Sequence, residues 1–263
     1  MLALARLVSD HDGVAPLNEA TTIAVTNGAP LRISLFDEIA AAVAVGDAPV
    51  EFMVHPRYRR QGRGTAMLTE LLRRGETRFW AHGDLPGAHK LAENAGLEAA
   101  RTLLKLRLDP PIDFDSTVGE GLTIRAFRES DVPTILDINR LAFSEHPEQG
   151  AMDLADFDAR RSQSWFRPEG LFVAERDGRV AGFHWTKIDN SIGEVYVVGV
   201  HPSAHGQGLG TALTAHGLSY LADAGVEAID LYVEADNHAA LAVYRNLGFI
   251  ELNRDVLYQK RAG

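Results

Sequence analysis

The sequence predicts an α/β (α+β) protein of two tandem domains, each a mixed, mostly antiparallel sheet flanked by helices. Three observations predict it. Residues 54–66 read Val-His-Pro-Arg-Tyr-Arg-Arg-Gln-Gly-Arg-Gly-Thr-Ala and residues 200–212 read Val-His-Pro-Ser-Ala-His-Gly-Gln-Gly-Leu-Gly-Thr-Ala, so one segment occurs twice. Each copy follows an apolar, strand-like run and opens a run with helical spacing. Between the copies, residues 109–121 carry paired prolines, acidic residues and glycines without a sustained period, which reads as a linker. The domains are therefore expected at 1–115 and 116–263.

The elements follow in order. In the first half, residues 2–8 are expected to be a helix, 31–36 and 39–45 a hairpin and 50–54 a strand. A helix over 66–74, a strand over 77–81, a helix over 89–94 ending at Gly96 and a strand over 103–108 complete it. In the second half, 122–125 reads as a strand, with no counterpart in the first. Ser130 or Asp131 is expected to cap a helix whose apolar positions include Ile135, Ile138, Leu141 and Ala142. Residues 171–175 and 180–187 flank an Asp177-Gly178 turn and read as a hairpin. A strand over 194–200 leads into the helix marked by Leu209, Ala212, Leu213, His216, Tyr220 and Leu221. A strand over 229–234, a helix over 239–247 with Gly248 past its end, and a strand over 256–260 follow.

The bulk properties narrow the function. The chain has 263 residues, 46% hydrophobic and 24% charged, ordinary values for a soluble globular protein. Its longest apolar run, residues 39–45, is far too short to span a bilayer, and the N-terminus lacks a signal-peptide pattern. A cytoplasmic monomer without membrane contact is expected. The absence of cysteine excludes disulfides and thiolate chemistry. A net charge of −10 argues against coating nucleic acid and suits a cationic substrate. The exception is the cluster Arg57, Arg59, Arg60 and Arg63, which reads equally as a phosphate site or a solvated loop. The ten histidines show no metal spacing, so no metal is expected.

A glycine-rich turn at a helix start can hold a phosphate. Glycine lets backbone N–H groups approach closely, and the helix terminus adds unpaired donors and a positive dipole end. Alone, Gly208 and Gly210 would signify only a tight turn; the strand before, the helix after and the second copy make the phosphate reading stronger. The two turns, Arg59-Arg60-Gln61-Gly62-Arg63-Gly64 and His205-Gly206-Gln207-Gly208-Leu209-Gly210, resemble the signature of the GNAT superfamily of acetyl-CoA-dependent N-acetyltransferases, with His205 where Gln or Arg is usual. Asn237, Ala240, Tyr244, Gly248 and Phe249 match a second GNAT trait. Separated runs at 12–16, 79–83, 146–150, 182–187, 193–197, 231–234 and 236–237 resemble, more narrowly, the mycothiol synthases, a tandem GNAT family of actinobacteria.

The resemblance implies the cofactor, acetyl-CoA, and its residues. In the second half these are Val198, Gly199 and Val200, the turn His205, Gly206, Gln207, Gly208, Leu209, Gly210 and Thr211, and Asn237, His238, Ala239, Ala240, Leu241 and Ala242. In the first half they are Phe52, Met53, Val54, Arg60, Gln61, Gly62, Arg63, Gly64 and Thr65. It implies a small-molecule amine substrate, the cysteinyl amine of cysteinyl-glucosaminyl-inositol, touched by Glu19, Glu148, Lys187, Glu194 and Tyr232. Amine acetylation needs a base for the substrate ammonium and an acid for the leaving thiolate. Aligning the copies sets Glu194 opposite Ala48, Tyr244 opposite Ala92 and Asn237 opposite Leu85. Glu194 as base and Tyr244 as acid thus place catalysis in the second half, and the first is expected to bind CoA without turnover. Without the resemblance, Glu194, Lys187 and Glu148 read as surface charges and Tyr244 as a core residue. Two alternatives stand beside this reading: a GNAT enzyme for a protein N-terminus or an aminoglycoside-like amine, and a non-catalytic CoA-binding regulatory module.

Overall fold

A computed structural model describes residues 1–111, 121–144 and 150–261. The linker centre near residue 115 and Glu148 lie outside the described residues. By contacts the chain divides into two units. One comprises Met1–Lys105, Glu234–Asn237 and the described residues from Leu252 onward. The other comprises His238–Glu251 and the described residues of Leu106–Val233.

The first unit opens with helices α1 (Leu2–Asp12) and α2 (Glu19–Thr26). Strands β1 (Leu31–Phe36), β2 (Ala40–Val45) and β3 (Val50–Val54) form an antiparallel meander. Helix α3 (Arg63–Arg73) carries the chain to β4 (Arg78–Ala81), which pairs parallel to β3. Helix α4 (Pro86–Asn94) and strand β5 (Leu97–Leu108) follow. Residues Val256 to Gln259 of β11 (Ile250–Lys260) pair antiparallel to β4, so a late stretch of chain completes the first sheet. Ala42, Ala44, Val50, Leu68, Leu71 and Phe79 fill one face of that sheet; Leu4, Val8, Leu17, Ala41, Val43 and Met53 fill the other.

The second unit repeats the plan. Strand β6 (Leu122–Ala126), helix α5 (Val132–Ala142) and helix α6 (Leu154–Arg161) precede an antiparallel set, β7 (Leu171–Arg176), β8 (Arg179–Asp189) and β9 (Ile192–Val200). Helix α7 (Leu209–Asp223) leads to β10 (Ala228–Glu234), parallel to β9, and α8 (His238–Asn246) follows. The strand order here is β10-β9-β8-β7-β6. Ile135, Ile138, Phe157, Leu171, Phe183 and Trp185 pack one face; Phe172, Ala174, Leu209 and Leu213 pack the other.

Several expectations need correction. Of the two expected caps, Asp131 and not Ser130 stands at the N-cap of α5, after a short 3-10 turn over Glu129–Asp131, but its side chain makes no capping bond to the helix. The Asp131 carboxylate instead accepts the Arg128 N–H at 2.7 Å and a guanidinium fork from Arg125. Helices α2 and α6 were not anticipated. Strands β5 and β11 begin six residues earlier than the 103 and 256 expected from their apolar runs.

Candidate functional site

Three bracing hydrogen bonds recur in both turns. The N–H of Arg57 donates to His55 Nδ1 at 3.1 Å, and that of Ser203 to His201 Nδ1 at 3.2 Å. Gln61 Nε2 donates to the Arg57 carbonyl and Gln207 Nε2 to the Ser203 carbonyl, at 3.2 and 3.3 Å. Arg59 Nε donates to the Val54 carbonyl, and His205 Nε2 to the equivalent Val200 carbonyl, both at 3.0 Å. His205 therefore replaces the usual Arg by making the same bond. Gly62 and Gly208 cap α3 and α7 with φ of 79° and 75°, a left-handed geometry that glycine adopts without a Cβ penalty. Neither helix has an acidic residue in its first turn, so the positive end of each dipole is unopposed, as a pyrophosphate requires.

Each turn sits where two parallel strands part. Pairing of β9 with β10 runs from Ile192↔Ala228 to Val195↔Leu231 and then stops, although both strands continue. Pairing of β3 with β4 stops after Glu51↔Trp80. Val198, Gly199 and Val200, and likewise Phe52, Met53 and Val54, lie beyond the split. Their edge amides on that side are released from the ladder and are available to a ligand. In the first unit the split opens into a cavity of about 590 Å³, lined by Phe52, Met53, Val54, Arg60, Gly62, Arg63, Gly64 and Thr65 among others. That volume lies in the range of cofactor pockets. Gln61 is exposed outside it. Of the four arginines, Arg59 is committed to structure, forking onto Asp12 at 2.7 and 2.8 Å; Arg57, Arg60 and Arg63 are exposed.

Glu194 and Lys187 stand opposite each other on β9 and β8, with Nζ 4.0 Å from the carboxylate. The Lys187 ammonium lies 5.0 Å from the Trp165 ring centre and 5.6 Å from that of Tyr196, a two-ring cation–π seat. A β-bulge makes the seat. Trp185 pairs with Val197 and Thr186 with Val195, so Tyr196 is the extra residue. Arg160 Nε donates to its hydroxyl at 3.0 Å. Trp165 is a core residue, at 6% exposure, and its ring also carries the lysine. Aromatic residues near a strand lysine were the only available signal.

Tyr244 is fixed by the end of its own helix. The N–H of Phe249 donates to the Tyr244 carbonyl and that of Gly248 to the Arg245 carbonyl, both at 3.0 Å, closing a Schellman cap with Gly248 at φ 91°. The Phe249 ring then packs edge-on against Tyr244 at 5.7 Å. Burial pushes the Tyr244 phenol above its ordinary pKa, so it is protonated at neutral pH and can donate.

The first unit has the frame without these groups. Gly96, at φ 67°, ends α4 as Gly248 ends α8, but buried Ala92 occupies the tyrosine's place. Ala48 lies in the β2–β3 turn. What the first unit has instead is a buried charge cluster that sequence reasoning missed. His82 Nε2 meets Glu51 Oε1 at 2.5 Å and its Nδ1 meets Asp255 Oδ2 at 2.9 Å. Glu51 also accepts the Asn18 N–H, and Asp255 the Gly83 N–H. Burial lowers the His82 pKa, but the hydrogen bonds and charges of Asp255 and Glu51 outweigh it, raising it to about 9. His82 is therefore a cation at neutral pH, stacked on Trp80.

Tyr232 projects from β10 with 46% exposure. Glu19 is the first residue of α2 in the first unit, next to its cap Asn18. Asn237 precedes α8, in which His238, Ala239 and Ala242 are exposed and Leu241 is buried. Among the described residues no group of three His, Cys, Asp or Glu side chains is placed to hold a metal ion, and no helix is long and apolar enough to cross a membrane.

The acetyltransferase (GNAT) family model matches residues 133–249. A mycothiol acetyltransferase of Thermomonospora curvata is 47% identical over 98% of this chain and 92% of its own length. That of Thermobispora bispora is 42% identical over 99% and 95%. Among solved structures, a GCN5-related N-acetyltransferase from Sphaerobacter thermophilus has a TM-score of 0.72 at 21% identity, covering 99% of this chain and 93% of its own. A tandem GNAT protein from the clavulanic acid pathway has a TM-score of 0.61 at 21% identity, covering 85% and 78%. The solved structures share the fold; the sequence relatives share nearly the full length. This chain belongs to the mycothiol acetyltransferase family of GNAT acetyltransferases.

Proposed function

We propose that this protein transfers an acetyl group from acetyl-CoA to the cysteinyl amine of cysteinyl-glucosaminyl-inositol, giving mycothiol and CoA, and that the second unit does the chemistry. One observation carries the assignment to that unit: two turns with the same backbone bonds, of which only the second is accompanied by a carboxylate seated beside a lysine and a capped, protonated tyrosine.

The residues suit the cofactor. The α7 terminus with Gly208 as cap offers N–H donors to a pyrophosphate, and the freed edge of β9 offers donors to an extended amide chain. Acetyl-CoA, when bound, supplies an activated acyl thioester. Glu194 takes the proton of the substrate ammonium, freeing the amine to attack. A backbone N–H among Val198, Gly199 and Val200 polarises the acyl carbonyl. Tyr244 donates its proton to the departing sulfur. Lys187, held on its two rings, fixes the position of Glu194 and donates to substrate hydroxyls, with Tyr232 as a further contact. With no cysteine in the chain, transfer is direct, without a thioester on the enzyme. The first unit holds CoA in its own cavity without turnover.

Steady-state assays with cysteinyl-glucosaminyl-inositol and with peptide amines test this. Glu194→Gln is expected to lower turnover roughly 10²-fold or more near neutral pH while acetyl-CoA still binds. Turnover confined to peptide amines would overturn the substrate; an unimpaired Glu194→Gln variant would remove Glu194 as the base.

A further inference from the structure

One carboxylate beside Glu194 has no part in the mechanism above. Asp230 is opposite Glu194 in the parallel β9–β10 pairing, just as Lys187 is opposite it in the antiparallel β8–β9 pairing. Partners at one register position point to the same face, and adjacent strands are about 4.8 Å apart. Asp230 is 3% exposed. Two parallel bonds from Arg107, at 2.7 and 2.9 Å, hold it from the far side. A row therefore runs across the second unit, which takes in the end of β5 from Leu106 onward: Lys187, Glu194, Asp230, Arg107. Its charges run plus, minus, minus, plus and cancel. Other titratable groups at register positions of this face include Asp189, two residues from Lys187 on β8, Tyr196, whose hydroxyl accepts from Arg160, Tyr232 and, toward β6, the Arg125–Glu175 pair.

A base loses proton affinity beside a cation and gains it beside an anion. Lys187 alone would lower the proton affinity of Glu194, and a bare second carboxylate would raise it. We propose that Asp230 is a positioning residue for Glu194, its carboxylate offsetting the pull of Lys187 while Arg107 limits that effect and fixes its geometry. The proposal rests on the reading of Glu194 as the base. A salt bridge with a purely structural purpose would need no place in register with Glu194.

The test is the acidic limb of kcat/KM against pH, measured on the full-length protein with acetyl-CoA and cysteinyl-glucosaminyl-inositol. Asp230→Asn removes the neighbouring anion and leaves the Arg107 cation. The limb is expected to move down by about one pH unit, with a lower plateau, the order expected of a unit charge at this separation in a partly hydrated site. Arg107→Gln leaves Asp230 uncompensated and is expected to move the limb up by about one unit. The double variant is expected to return it near its original position. Arg107→Lys, which keeps the charge but not the fork, is expected to leave it in place even if stability falls. Limbs that stay put while denaturation midpoints drop would overturn the proposal and make the pair a structural bridge. Glu194→Gln in the same assay separates the two ideas. If that variant is inactive and the limbs do not move, only the role of Asp230 fails; if it keeps full turnover and an unchanged limb, the assignment of the base fails first.

Discussion

The two turns at residues 54–66 and 200–212 share a backbone and differ in company. Arg59 and His205 are unlike side chains, yet each donates to the same carbonyl at 3.0 Å. Arg60 holds a φ of 60° where Gly206 has 73°, so even the strained position is kept with a costlier residue. A cradle for phosphate is thus a property of main-chain geometry that several side chains can brace. Acid–base chemistry is not: it needs a carboxylate and a phenol at particular places. Where the second unit has Glu194 and Tyr244, the first has Ala48 and Ala92.

The charge cluster gives the strongest way to sharpen the contrast. His82→Gln leaves Glu51 and Asp255 buried without a cation and is expected to cost about 4 kcal/mol of stability, the loss typical of removing one partner of a buried pair. The pH dependence has a definite sign. Because the folded pKa of His82 is raised to about 9, its contribution is full below the ordinary histidine value and is lost as pH rises through about 9. Denaturation midpoints of the unaltered chain are expected to decline across that window and those of His82→Gln to stay flat. A flat profile in both would mean that the histidine is not charged.

Tyr244→Phe is expected to lower kcat roughly 10²-fold with KM for acetyl-CoA little changed, because the ring and its Phe249 contact survive and only the proton is lost. Ala92→Tyr, its mirror in the first unit, is expected to rescue none of that loss; recovered turnover would show that the first unit is a dormant catalyst. The smallest effect belongs to the turn itself. His205→Arg is expected to shift KM for acetyl-CoA by no more than about twofold, since the arginine can make the same bond, whereas His205→Ala raises it several-fold. Equal effects of the two substitutions would break the equivalence of the turns.

The turns and the strand–helix order were legible because they rest on local rules, positive φ, helix starts and the spacing of a helix cap, whereas Glu194 and Tyr244 stood out only through the resemblance and the alignment of the two copies. Helix α2 was not, since its Thr-Thr-Ile-Ala-Val-Thr run favours strand by propensity and is helical only through its Asn18 cap and its packing. Helix α6 was marked by a capping box, Asp153 and Asp156, that went unread. The His82 cluster could not be read at all, because its partners lie 31 and 173 residues away. The lysine seat depends on a bulge at Tyr196, and a bulge leaves no trace in hydrophobic pattern.

Strand β11 carries a consequence for biosynthesis. Residues Val256 to Gln259 close the sheet beside β4, whose Phe79 and Trp80 are made some 170 to 180 residues earlier. A ribosome emits the chain in order, at a pace that separates these strands by on the order of ten seconds. Throughout that interval the β4 edge, apolar and unpaired, is open to any other extended segment nearby. The half of the molecule that is synthesised first is the half that is finished last.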